Sequence, residues 1–225
     1  MIWGIIAIVI CVFLALKIVS RKLKWKTADK VIRKLHIPLG VLILIVIAVH
    51  ILVTFRVWTT RDILVVGSGI VSAILLVLMA AGYVFRKKLG KGWMVLHRGG
   101  AIFLALFIAI HVTVYYIDFF AYKNKIASID ITGMNASEIK DGSYLGEYDV
   151  GYIYAKVEVI VQNNKITDIA IIEHDNERGT PAEVITDQII EQQSTQVDAV
   201  SGATNSSMVI EKAVEDALGK AVIKR

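Results

Sequence analysis

Residues 150–175 read VGYIYAKVEVIVQNNKITDIAIIEHD. The run is rich in β-branched and aromatic residues. Its apolar positions, Tyr154 or Ala155, then Val157, Val159 and Val161, recur with a period of two. QNNK interrupts the run with turn residues, and KITDIAIIEH resumes it. Two strands joined this tightly predict an antiparallel hairpin with one face to bury. The following stretch, TPAEVITDQIIEQQ, supplies a cover. Thr180 is expected as N-cap, Pro181 at the first helical position and Glu183 at the third, which is a capping box. Val184, Ile185, Ile189 and Ile190 then fall on one helical face. A last helix is expected from about Ser206 to Leu218, with Gly219 as its C-cap. Together these elements make a small α+β domain of about 90 residues, enough for a modest core.

Upstream the chain changes character. It is 56% hydrophobic, with 25 Lys/Arg and 20 Asp/Glu over 225 residues. Residues 1–120 hold 15 Lys/Arg against 3 Asp/Glu, a net +12, whereas residues 121–225 hold 10 against 17, a net −7. The first part carries four apolar segments, Ile2–Leu16, Ile37–Phe55, Ile63–Phe85 and Ala101–Phe120. Each approaches the ~20 residues that span a bilayer. Lys17–Lys34 carries eight basic residues and Arg86–Arg98 five. The positive-inside rule puts these two loops in the cytoplasm, with the N-terminus and everything after Phe120 outside. The basic charge therefore reads as topology, not as a nucleic-acid surface. The first segment lacks a basic n-region and an A-x-A site, so it reads as an uncleaved anchor. The single cysteine, Cys11, excludes an intramolecular disulfide, a CxxCH haem attachment and a cysteine zinc cluster. The expected organisation is a four-helix membrane bundle over 1–120, a linker over 121–136 and an extracytoplasmic α+β domain over 137–225.

Four of the five histidines stand in or at the edge of spans. His36 and His50 are 14 residues apart on the second span, and His97 and His111 are 14 apart on the fourth. Fourteen helical residues advance about 21 Å and stop about 40° short of four full turns. Each pair therefore shares a face. Both spans run from inside to outside, so His36 can meet His97 at one level and His50 can meet His111 at the other. Two levels of paired imidazoles suit two bis-histidine b-type haems, whose iron takes neutral imidazole nitrogen on both sides. Arg98, next to His97, could pair with a haem propionate, and topology alone explains it as well. The repeated H-x13-H on two spans resembles the membrane domain of ferric reductases and NADPH oxidases, which implies two haems and electron transfer across the membrane. The chain departs from that family. It has four spans instead of six, and no G-x-G-x-x-G nucleotide-binding domain on the cytoplasmic side.

Between the two expected helices of the α+β domain lies DAVSGATNSS, Asp198 to Ser207. By itself it reads as a cap turn opening a helix, where unpaired N–H groups and the helix dipole favour a phosphate. Taken with DGSYLGEYDVGYIYAKVEVIVQNNKITDIAIIEHDN and the helix after TPAE, D-x-x-S-G-A-T-x-S resembles the flavinylation motif of the FMN-binding domain family. That family includes flavin-carrying components of the sodium-translocating NADH:quinone reductase and of the Rnf complex. The resemblance covers nearly all of residues 137–220. It implies FMN joined to Thr204 through a phosphoester made by an extracytoplasmic flavin transferase. Asp198, Ser201, Gly202 and Ala203 would be its recognition motif, with Ser206 completing the pattern. It further implies that Glu173, His174, Gly179 and Thr180 line the isoalloxazine ring; a solvated strand end is the other reading of that loop.

The expectation is thus a membrane electron carrier. Electrons from a cytoplasmic donor or membrane quinol would pass through two haems to FMN, and then to an extracytoplasmic acceptor. No general acid–base or nucleophile constellation marks a substrate reaction of its own. The rival expectation is a haem-free, membrane-anchored flavoprotein subunit of a larger Rnf- or Nqr-like complex.

Overall fold

The computed structural model describes residues 2–137 and 139–223. Met1, Glu138, Lys224 and Arg225, which the expected domain boundaries include, lie outside the described residues. The chain divides into two compact units, one ending at Tyr115 and the next beginning at Tyr116.

The N-terminal unit is helical: α1 (Ile2–Lys22), α2 (Lys26–Thr54), α3 (Ile63–Val84), the short α4 (Arg86–Leu89) and the first part of α5 (Gly92–Ala127). Among the described residues, four helices are long and apolar enough to cross a membrane. Only 6–17% of each most apolar window is buried, so the apolar side chains mainly face outward, as lipid contact requires. The helices run past the apolar segments at their basic ends. Lys17 Nζ on α1 meets Asp29 Oδ1 on α2 at 2.7 Å across the turn at Lys24, the segment's one acid against one of its eight bases. Asp62 caps α3 by accepting from Leu64 N–H at 2.7 Å. Pro38 stands inside α2, where its ring leaves the Lys34 carbonyl without a helical donor.

The C-terminal unit is a three-stranded antiparallel sheet, β1 (Gly142–Asp149), β2 (Tyr154–Gln162) and β3 (Lys165–Asp175), in the order β1-β2-β3. A 3-10 turn (Thr180–Val184), α6 (Ile185–Gln192) and α7 (Thr204–Ile223) complete it. The hairpin is as expected. Asn163 and Asn164 both take positive φ, 52° and 59°, which a two-residue turn between twisted strands requires. Of the alternatives Tyr154 and Ala155, the inward residue is Ala155, in line with Val157, Val159 and Val161, all fully buried. Opposite them pack Val209, Ile210, Ala213, Val214, Ala217 and Leu218 of α7. Each buried Val or Ile is worth about 1.5–3 kcal/mol against exposure.

Several sequence expectations are corrected. The residues expected to form a linker begin as helix: α5 continues to Ala127, because AYKNKIA contains no breaker and Tyr122 and Ile126 pack against the C-terminal core. The capping box does not form. Gly179 is the N-cap and no side chain caps the turn; the Glu183 carboxylate instead meets His174 Nδ1 at 2.9 Å. The 3-10 turn shifts the helical phase, so Val184 is exposed while Ile185 and Ile189 are buried. Helix α7 starts at Thr204, two residues early, and runs through Gly219. Gly142–Asp149, for which no element was expected, is the edge strand β1.

Glu215 ties the unit together. Its Oε1 accepts from Thr132 N–H (2.7 Å), Thr132 Oγ1 (2.9 Å), Gly133 N–H (3.1 Å) and Thr195 Oγ1 (2.9 Å), and its Oε2 from Lys212 Nζ (2.8 Å). Burial opposes its charge, but these donors outweigh burial and hold the carboxyl below its ordinary range. Glu211, one turn earlier and buried, has fewer partners. Burial, aided by the neighbouring Glu215 charge and opposed by the Val197 N–H, pushes its carboxyl up to about 7.

Candidate functional site

In the N-terminal unit the structure brings His36 and His97 together. Their ring centres are 5.9 Å apart, with planes at 70°. Two imidazoles that bind one metal from opposite sides at about 2 Å place their ring centres roughly 6 Å apart. Nδ1 of both rings is buried and has no hydrogen-bond partner among the described residues. A ligand, an ion or a water would each satisfy such an atom. Trp93 lies 6.0 Å from His97, and Tyr83 lies 6.1 Å from Trp93, so an aromatic row leads to the pair.

The other two histidines are held by close helix packing. A methyl group built on Gly69 of α3 would come within 3.1 Å of His111 Cε1, and one on Gly4 of α1 within 3.4 Å of His50 Cε1. These glycines leave room for the rings. His111 Nδ1 lies 2.9 Å from the Val65 carbonyl, which can only accept. The Nδ1 proton is thereby fixed, and Nε2 keeps its lone pair for a metal. Among the described residues no cluster of three or more His, Cys, Asp or Glu side chains is placed to hold a metal ion. His36 and His97 form one close pair, whereas His50 packs on Gly4 of α1 and His111 on Gly69 and the Val65 carbonyl of α3. The His36–His97 spacing therefore fits the two-imidazole ligation of one haem.

In the C-terminal unit, Thr204 opens α7 and is exposed. The turn before it is closed by Ala203 N–H to the Val200 carbonyl (2.9 Å), with Gly202 at φ +79°, a conformation that suits glycine. Ser207 completes it: its Oγ accepts from Val200 N–H at 3.0 Å, and its N–H donates to the Ala203 carbonyl at 3.0 Å. The side chain of Thr204 is thus not consumed as a cap. It projects at the end of a 20-residue helix where the first-turn N–H groups lack helical acceptors. Asp198, Ser201 and Gly202 are exposed beside it, while Ala203 and Ser206 are buried.

The loop after β3 packs on this turn. A methyl group on Gly179 would sit 1.8 Å from Ser206 Oγ and 3.5 Å from Asn176 Cβ, so only glycine fits there. Asn176 Oδ1 accepts from Gly179 N–H at 2.7 Å, and its Nδ2 donates to the His174 carbonyl at 3.1 Å. His174 has only 2% of its side chain exposed, and its Nε2 is buried without a partner among the described residues. The structure thus groups His174, Gly179 and Ser206, with Thr180 exposed at the rim. Glu173 is not in this group. It is exposed, in register with Lys156, and strand alternation turns it to the other face from His174. Sequence reading missed Asn176, whose short polar side chain three residues before a glycine is a turn signal. It also missed Asn205, whose Nδ2 donates to Tyr122 Oη at 2.8 Å.

Residues 151–219 match the family model described as the FMN-binding domain. The match begins after β1 and contains the hairpin, the 3-10 turn, α6, the 198–207 turn and most of α7. No curated protein and no solved structure matches the chain.

Proposed function

We propose that this chain is a transmembrane electron conduit. Electrons enter from a cytoplasmic donor or membrane quinol, cross on two b-type haems, reach FMN joined to Thr204 outside the membrane, and leave to an extracytoplasmic acceptor. The observation that carries this reading is a histidine pair 5.9 Å apart on two apolar helices of a chain whose other unit matches an FMN-binding domain. When bound, haem supplies one-electron chemistry, and flavin can hold two electrons.

The chain's own residues provide position and electrostatics. His36 and His97 offer one pair of nitrogens, and His50 and His111 the other. The Val65 carbonyl fixes the tautomer of His111, and Gly4 and Gly69 admit the rings of His50 and His111. Arg98 is available to a propionate. In the C-terminal unit, the first turn of α7 stabilises the phosphate of a phosphoester on Thr204. The exposed Asp198-to-Gly202 segment is accessible to a flavin transferase. His174 Nε2, Gly179, Thr180 and Ser206 border the flavin, with Glu183 fixing the His174 ring.

The attachment is tested by producing the full chain with an extracytoplasmic flavin transferase and reading flavin fluorescence on a denaturing gel. The native chain fluoresces and Thr204→Ala does not. A fluorescent Thr204→Ala band would contradict the assignment.

A further inference from the structure

The turn that carries Thr204 is fastened on a side the motif does not include. Asn205, the next residue, is exposed, yet its amide donates to the Tyr122 hydroxyl at 2.8 Å. Tyr122 is half-buried near the end of α5 and stacks on Tyr152 with ring centres 4.6 Å apart and planes 12° from parallel. Tyr152 itself is held in place. It sits in the β1–β2 turn, where Val150 N–H donates to the Ile153 carbonyl at 3.0 Å and Gly151 N–H to Asp149 Oδ1 at 2.6 Å, with Gly151 at φ +92°. Tyr152 is buried, 5% exposed, so the ring of the stack that solvent reaches is the half-buried Tyr122.

A parallel tyrosine stack offers a flat π surface, and a three-ring flavin is the kind of planar group that lies against one. A flavin tethered through a flexible ribityl phosphate needs such a surface close to its anchor. Packing alone explains why Tyr122 and Tyr152 touch. It does not explain why an exposed asparagine next to the anchor holds the phenol hydroxyl. We propose that the Tyr122–Tyr152 stack is the aromatic seat of the flavin on Thr204, and that Asn205 is the pin that sets the seat beside the attachment turn. This rests on the reading of Thr204 given above. It makes Tyr122, Tyr152 and Asn205 positioning residues for the flavin.

The test uses the full chain co-produced with a flavin transferase, purified in detergent. Gel fluorescence reports attachment, and the emission and anisotropy of the folded protein report the seat. Flavin stacked on tyrosine is dim, because the phenol ring quenches the excited isoalloxazine, and it is slow to reorient. Asn205→Ala and Tyr122→Phe are expected to keep native attachment while the flavin loses anisotropy. Tyr122→Phe and Tyr122→Leu, which both remove the quenching phenol, are expected to brighten the emission severalfold. Native brightness and anisotropy in Asn205→Ala and Tyr122→Phe would overturn the seat, and these two variants decide the matter even if Tyr122→Leu does not fold. Absence of covalent flavin on the native chain would instead overturn the underlying reading, and the seat with it.

Discussion

The two buried glutamates of α7 show how neighbours separate identical carboxyl groups. Glu215 has five donors and stays charged, whereas Glu211 holds its proton up to about pH 7, against an ordinary value of 4.5. Between those values the folded state binds a proton that the unfolded chain has lost, so this residue's contribution to stability falls as pH rises from about 4.5 through 7. Glu211→Gln removes that dependence. Relative to its value at acid pH, the melting-temperature difference between variant and native protein should move in the variant's favour up to pH 7 and then level off. A difference independent of pH would contradict the assignment. His174 poses a different demand, because its Nε2 is buried without a partner among the described residues. If that nitrogen faces the flavin, His174→Gln should alter the visible absorption of the bound flavin while leaving the Thr204 attachment intact on a gel. An unchanged spectrum would remove His174 from the site.

Elements meet most closely at two glycines. A methyl group on Gly146 of β1 would lie 2.1 Å from the Ala213 carbonyl oxygen and 2.5 Å from Ala217 N, so the strand rests directly on the backbone of α7. Gly146→Ala must push the two apart. It should cost about 1–3 kcal/mol, the usual range for overpacking, with the upper end favoured because backbone cannot move aside as a side chain can. Chemical unfolding followed by circular dichroism measures it. The same glycine explains why β1 was not legible in the sequence. Its inward positions are Tyr144, Gly146 and Tyr148, and the glycine at the centre erases the apolar alternation. The hairpin was legible because Val157, Val159 and Val161 alternate cleanly around two turn-forming asparagines. The capping box failed for a tertiary reason: Glu183 was taken by His174, nine residues away. The second close approach, Gly179 against Ser206, could not be read from spacing, and neither could the bond from Asn205 to Tyr122. Each joins segments that only the folded sheet and α7 bring together. In the spans, the 14-residue spacing together with two spans read as running the same way anticipated the His36–His97 contact, and His50–His111 has no such ring contact among the described residues.

At the scale of the whole molecule, one chain joins four apolar helices to a unit that matches an FMN-binding domain. Its charge changes from +12 over residues 1–120 to −7 over the rest. In the proposed conduit these halves form one electrical path, and the haems are what distinguish it from an anchored flavoprotein. If His36/His97 and His50/His111 each hold one haem, His50→Ala should remove one of two haems and leave the other; loss of neither would break the pairing. The most direct measurement is the dithionite-reduced-minus-oxidised absorption spectrum of the purified full chain. A conduit gives the bands of b-type haem, at two haems per chain, together with bleaching of the flavin. Flavin bleaching with no haem bands would contradict it and leave a flavoprotein subunit that depends on other proteins for its electrons.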